Sequence, residues 1–308
     1  MSASNTETPS GIDLRGRVHL AALVITAVTF VWLFAQPMRS LARDWWTNPE
    51  AGHGLLLAPL AIWLAWRAGV RKDRRPQIVL GVAAIVVAVA VRYLSGLAAE
   101  PFTMRMSLLL AAAGLVLFYV GWRQLLAWWL PFTLLFLSVP LPEVVLGAIA
   151  LPLQFKASQL GAAMLASRDI PVMLTGNVIR LPGHDLFVTE ACSGLRSLTA
   201  LLSLAILLGA LMLKRPVSRI LLLAASIPVA IVINGFRVFL TGFLVIFVDP
   251  KLGEGVAHLF EGWLLFVIDF LVLAALTWLG VLIERRLDRK PSDDEPDEVG
   301  HLPEIVHA

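Results

Sequence analysis

The chain has 308 residues, of which 58% are hydrophobic and only 15% charged, and its mean hydropathy is +0.80. A soluble domain is about 45–50% apolar and about 25% charged, so the composition excludes a water-soluble globular protein and requires a polytopic membrane protein. A single cysteine excludes an intrachain disulfide and a cysteine-based zinc cluster, and the net charge of +3 is informative only through its distribution along the chain.

Residues 1–17 read as a cytoplasmic N-terminal segment, rich in Ser, Thr, Asn and Pro and expected to be disordered. The first apolar run, Val18 to Gln36, follows Arg15 and Arg17 and carries no small-residue cleavage site, so it is expected to be a retained helix rather than a signal peptide. Further spans are expected at Gly54–Trp66, Ile78–Ala99, Met106–Gly121, Leu125–Leu141, Gly194–Leu213, Ile220–Val248 and Gly262–Ile283. The fold class is therefore all-α and polytopic, with about eight transmembrane helices between residues 18 and 283. Pro59, Pro131 and Pro228 fall inside these runs, where neighbouring groups can satisfy the freed carbonyls.

Between the fifth and sixth spans, residues 143–191 are too long and too mixed for a simple connection. Glu143–Ala166 is apolar but interrupted by Pro152, Gln154, Lys156, Ser158 and Gln159, the pattern of a helix lying in the interface or dipping into the bundle. Val172–Val188 alternates apolar and polar residues around Gly176-Asn177 and Pro182-Gly183, which are hairpin signals. A small extracytoplasmic β-hairpin element is expected there, delivering Cys192 to the membrane surface. Residues 284–308 are expected to be a disordered cytoplasmic tail; His301 and His307 within it lack neighbouring ligands, so no metal site is expected.

With both termini cytoplasmic, the inner segments hold fifteen of the 25 basic residues, an asymmetry that favours this orientation. Cys192, at the start of the sixth span, then lies at the extracytoplasmic surface. A thiol opening a helix feels the positive end of the dipole, and Arg196 one turn on adds to it, favouring the reactive thiolate. The alternative is a small buried hydrophobe.

Ionisable residues inside a membrane are costly and so are functional candidates. Arg92 lies near the outer end of its span and can snorkel. Arg237 lies 18 residues past Arg219, ~27 Å up the helix, at the depth expected of Cys192. His258, in the short loop before the last span, suits general acid or base work, oriented by Glu254 or Glu261, or is simply an interfacial histidine. A thiol, an arginine and a histidine from three different spans at one depth make a Cys–His–Arg site the economical reading.

Glu190-Ala-Cys-Ser-Gly-Leu-Arg-Ser-Leu198, Asn234-Gly-Phe-Arg237 and His258, in an eight-helix chain, resemble the exosortase/archaeosortase family, membrane-embedded transpeptidase-like enzymes that cleave the C-terminal sorting signal of exported proteins. Gly52-His-Gly54 also resembles a segment common in exosortases, and the similarity runs from about residue 40 to 283. The resemblance implies Cys192 as nucleophile, Arg237 as stabiliser of developing negative charge and His258 as the proton-transfer residue. The family's archaeal branch can carry arginine at the position of His258, so this residue either transfers a proton or only positions. Arg196, Glu190, Asn234 and Glu261 are supporting candidates. The implied substrates bear a Pro-Glu-Pro motif, a hydrophobic helix and a basic end, and the implied location is the bacterial inner membrane. A lipid or glycan acceptor is a further partner, no nucleic acid is expected, and neither metal nor organic cofactor is called for.

Two other readings fit the same residues, a non-catalytic scaffold for exopolysaccharide export and a transporter using Arg237 and Arg92. No internal repeat or matched pair of broken helices supports the transporter. A serine or aspartyl intramembrane protease lacks its motifs, since no Gly-x-Ser-x-Gly occurs and Asp269 is the only aspartate well inside a span.

Overall fold

The computed structural model describes residues 14–48, 50–188, 194–249 and 255–288, with backbone alone over 14–15 and 255–263. The chain divides into two compact units, one up to Ala148 and one from Ile149 onward. Among the described residues seven helices are long and apolar enough to cross a membrane, so the protein is a multi-pass, essentially all-α membrane protein carrying one small sheet.

In the first unit, α1 (Leu14–Leu33) and α2 (Ala35–Thr47) precede the short apolar α3 (Gly54–Ala68), the pair α4 (Ile78–Leu97) and α5 (Pro101–Tyr119), and the short α6 (Trp122–Ala127) and α7 (Trp129–Leu137). Small residues let α4 and α5 pack backbone to backbone: a Cβ on Gly81 would stand 2.7 Å from the Phe118 Cα. Pro101 occupies the first turn of α5, and the Glu100 carboxylate caps it by accepting from the Phe102 and Thr103 N–H groups. Arg105, only 5% exposed, donates to Asp44 at 2.6 Å and to Ser40 at 3.1 Å, so its charge is paired where α2 meets α5.

The span expected at Leu125–Leu141 is not one helix; it breaks at Trp128 into α6 and α7. Pro131 has no N–H to give the Ala127 carbonyl, which interrupts the ladder at that turn. Gln124 and Trp128 hold the broken end through the Gly69 carbonyl, at 3.1 and 3.2 Å, and Gln124 also accepts from the Arg71 N–H.

The second unit contains α8 (Glu143–Ala166), which starts just before its boundary, then β1 (Met173–Thr175), β2 (Val178–Leu181), β3 (His184–Phe187), α9 (Leu195–Met212), α10 (Pro216–Phe247) and α11 (Gly255–Asp288). The segment expected to lie in the interface or dip into the bundle is α8, continuous over 24 residues and long and apolar enough to cross. Its buried stripe is Gln154, Ala157, Ser158, Gly161 and Leu165, one face of a helix. A Cβ on Gly161 would come within 2.5 Å of Val238, one on Gly235 within 2.6 Å of Leu160, and one on Gly242 within 3.0 Å of Leu165. These contacts follow the same order along both helices, so α8 and α10 run in the same direction. Leu198, Leu201, Ala205, Leu222, Ala230 and Leu273 form the core shared by α9, α10 and α11.

Glu284 joins the three helices at their basic end. Its carboxylate, 4% exposed, accepts from the Lys214 N–H at 2.8 Å and the Arg215 N–H at 2.9 Å, capping α10 from α11. Glu284→Ala strands these donors and is expected to cost about 1–3 kcal/mol, read as a lowered unfolding temperature in detergent. Glu284→Gln, which keeps an acceptor, should lose less.

The expected hairpin is a three-stranded antiparallel sheet in the order β1-β2-β3. Gly176 (φ +64°) and Gly183 (φ +81°) supply the left-handed residues of its two-residue turns, in the registers Thr175↔Val178 and Leu181↔His184. Ile179, Leu181 and Leu186 turn one face of the sheet onto Leu165 of α8 and Val238 of α10.

Candidate active site

Gly194 lies at the entrance to α9 with φ +74°, a conformation that costs any residue with a Cβ about 1–2 kcal/mol. The space a Cβ would need is filled by Asn234 of α10, whose Cγ would be 2.7 Å away. The last residue of Cys-Ser-Gly is thus pressed against the first of Asn-Gly-Phe-Arg. Asn234 is buried, and one turn further along α10 lies Arg237, half-buried. Arg237, Val238 and Thr241 form one wall of a small pocket whose other wall is Leu186, Phe187 and Val188.

The chain is also fixed at the end of β3. The Val188 N–H donates to the Asn177 carbonyl at 3.0 Å, and the Asn177 amide returns a hydrogen bond to the Val188 carbonyl at 3.0 Å. Val188 and Gly194, the described residues on either side of the stretch that carries the thiol, are thus each held by contacts of their own. Cys192 and Glu190 themselves lie outside the described residues.

His258 and Glu261 belong to the first two turns of α11, and their side chains lie outside the described residues. Measured from the Glu284 junction, α10 reaches Arg237 after 22 residues from Arg215 and α11 reaches His258 after 26, axial rises of ~33 and ~39 Å. The two helices thus bring these residues to within little more than a turn of the same height in the second unit. Arg196 sits in the first turn of α9 and is exposed, where Arg237 is half-buried.

Below the Cys motif, Asp269 of α11 is 1% exposed and accepts a hydrogen bond from Ser197 in the first turn of α9, while its Oδ1 has no partner. Asp269 stood out in the sequence as an isolated intramembrane acid, but its link to Ser197 depends on which faces of two helices meet, and spacing does not give that. The Asn177 clamp on Val188 was likewise not legible from the turn signals alone.

Arg92 and Gly52-His-Gly54 belong to the first unit. His53 hydrogen-bonds the Leu137 carbonyl at 3.1 Å, and its burial pushes the imidazole below its ordinary range. A Cβ on Gly54 would run into the Trp45 indole, whose N–H is held by the Ser138 carbonyl at 2.7 Å. These glycine and histidine contacts tie the start of α3 to the end of α7. Among the described residues no group of three His, Cys, Asp or Glu side chains is arranged to hold a metal ion.

The family model described as transmembrane exosortase (Exosortase_EpsH) matches residues 45–275 of the chain. The chain belongs to this family. The matched stretch includes Val188 and Gly194, the Asn-Gly-Phe-Arg segment and the first turns of α11. No curated protein and no solved structure matches the chain. Exosortases are in general membrane peptidases or transpeptidases acting on exported proteins that carry sorting signals.

Proposed function

We propose that this exosortase is a cysteine peptidase/transpeptidase that cleaves a C-terminal sorting signal through a thioacyl-enzyme on Cys192, with Arg237 and His258 completing the site. The observation that carries this reading is the contact of Gly194 with Asn234, one turn before Arg237. Gly194 follows Cys192 by two residues of chain, a separation of at most ~7 Å, which supports the reading. The Arg237 pocket against Val188 supports the same neighbourhood from the other side of the motif.

In this mechanism the Cys192 thiolate attacks the scissile carbonyl at the extracytoplasmic side of the inner membrane. The oxyanion that forms is stabilised by the Arg237 guanidinium, whose charge acts strongly in a low-dielectric site. The C–N bond breaks, the leaving amine takes a proton from His258, and a thioester remains. An amine or other nucleophile on a lipid or glycan carrier, or water, then resolves it and frees the thiol. The substrate carries a Pro-Glu-Pro segment, a membrane helix and a basic end. Arg196, Glu190, Asn234 and Glu261 support this constellation by holding the substrate's acidic residue or orienting the three principal side chains.

The reading is tested by trapping. A sorting-signal peptide bearing a thiol-reactive warhead should form one adduct, on Cys192, the chain's single cysteine, and intact substrate should compete with it. Labelling that is indifferent to the peptide sequence would refute the reading. Arg237→Lys keeps the charge but loses the planar fork and is expected to lower processing by about 10²–10³-fold, measured as turnover of a tagged substrate in membranes; unaltered turnover would reduce Arg237 to an interfacial anchor.

A further inference from the structure

The order β1-β2-β3 leaves β3 at one edge of the sheet, and among the described residues no other strand pairs with that edge. An open edge offers its main chain to another extended segment. Which groups it offers follows from the hairpin. The pair flanking a two-residue turn is hydrogen-bonded and the pairs then alternate, so Leu181–His184 and Ile179–Leu186 are bonded while Arg180–Asp185 and Val178–Phe187 are not. The N–H and C=O groups of Asp185 and Phe187 therefore point away from β2. Both residues are exposed, Phe187 at 61%.

The edge of β3 differs from that of β1 in where it leads. It continues through Val188 toward the Cys motif, and Leu186, Phe187 and Val188 share a pocket with Arg237 and Thr241. The β1 strand instead leads back through Ile170 to α8. We propose that the polypeptide to be cut docks as a fourth strand on the outer edge of β3, paired through the main chain of Asp185 and Phe187. This rests on the peptidase reading and names what its substrate must be there: an extended segment recognised chiefly by its backbone. Alternate substrate residues pair with β3, and those between them direct their backbone groups to the opposite side.

The test removes backbone donors one at a time. Phe187→Pro deletes the outward N–H and leaves the ladder to β2 intact, since proline is tolerated where an edge N–H faces away from the sheet. Against Phe187→Ala, which removes the ring alone, it should raise KM for the tagged substrate about tenfold at an unchanged unfolding temperature. A second arm uses the unaltered protein and synthetic substrates in which single amides flanking the cut are replaced by esters. Processing should fall at every second position only. Equal processing by the Pro and Ala variants with a flat ester scan overturns strand docking; if Phe187→Pro does not fold, the ester scan decides alone. Cys192→Ala is run alongside: if it still processes substrate the peptidase reading fails, and if it is inert while the scan is flat only the docking mode fails.

Discussion

Cys192→Ala is expected to abolish processing of a tagged sorting-signal substrate while leaving the protein folded and in the membrane. No other thiol exists in the chain to take over. Loss of a covalent nucleophile removes the acyl intermediate and every step after it, and costs on the order of 10⁶-fold in kcat where it has been dissected in a serine hydrolase. Cys192→Ser should be almost as inactive, because a serine hydroxyl is far less ionised and less nucleophilic than a thiol at neutral pH. The measurement is conversion of precursor to product on a gel, with unfolding temperature as the control. Full conversion by the alanine variant would return the protein to the scaffold class.

Gly194→Ala should produce the second largest loss, although residue 194 carries no chemistry of its own. The left-handed conformation at φ +74° costs a residue with a Cβ about 1–2 kcal/mol, and the new methyl would lie 2.7 Å from the Asn234 Cγ and 2.9 Å from its Cβ. Relief requires either unwinding the entrance to α9 or displacing α10 one turn from Arg237, and both change how the thiol meets the guanidinium. Displacements of about 1 Å cost about 10²-fold in comparable sites, so processing should fall by about that factor. Wild-type rates for Gly194→Ala would show that the contact with α10 does not set the geometry of the reaction.

Much of the architecture could be read before any coordinates. Composition alone gives the membrane class, and Gly176-Asn177 with Pro182-Gly183 gives the turns of the sheet because glycine there answers a specific backbone need. Two elements were harder. Gln154 and Ser158 leave open whether residues 143–166 lie in the interface or dip into the bundle, and they lie on the buried stripe of α8, since a polar group in a membrane helix can face protein instead of water. The run 125–141 looks like one span, and only the missing N–H of Pro131, read against the Ala127 carbonyl, explains why it breaks. For the site, helix rise brings Arg237 and the start of α11 to similar heights without a structure. Contacts such as Gly194 with Asn234, or Ser197 with Asp269, depend on helix rotation, which a rise per residue does not supply.

The glycines of α8 and α10 have a consequence for where a substrate is cut. Leu160 and Leu165 seat in the notches left by Gly235 and Gly242, and α8 carries the sheet on the same hydrophobic cluster that includes Leu165, Ile170 and Ile179. The height of the sheet above the bundle is therefore set by two side chains in two slots, several turns of helix away from the basic end. If the sheet holds the substrate, those slots act as a ruler: they fix how many residues separate the severed bond from the point where the substrate's own helix enters the lipid.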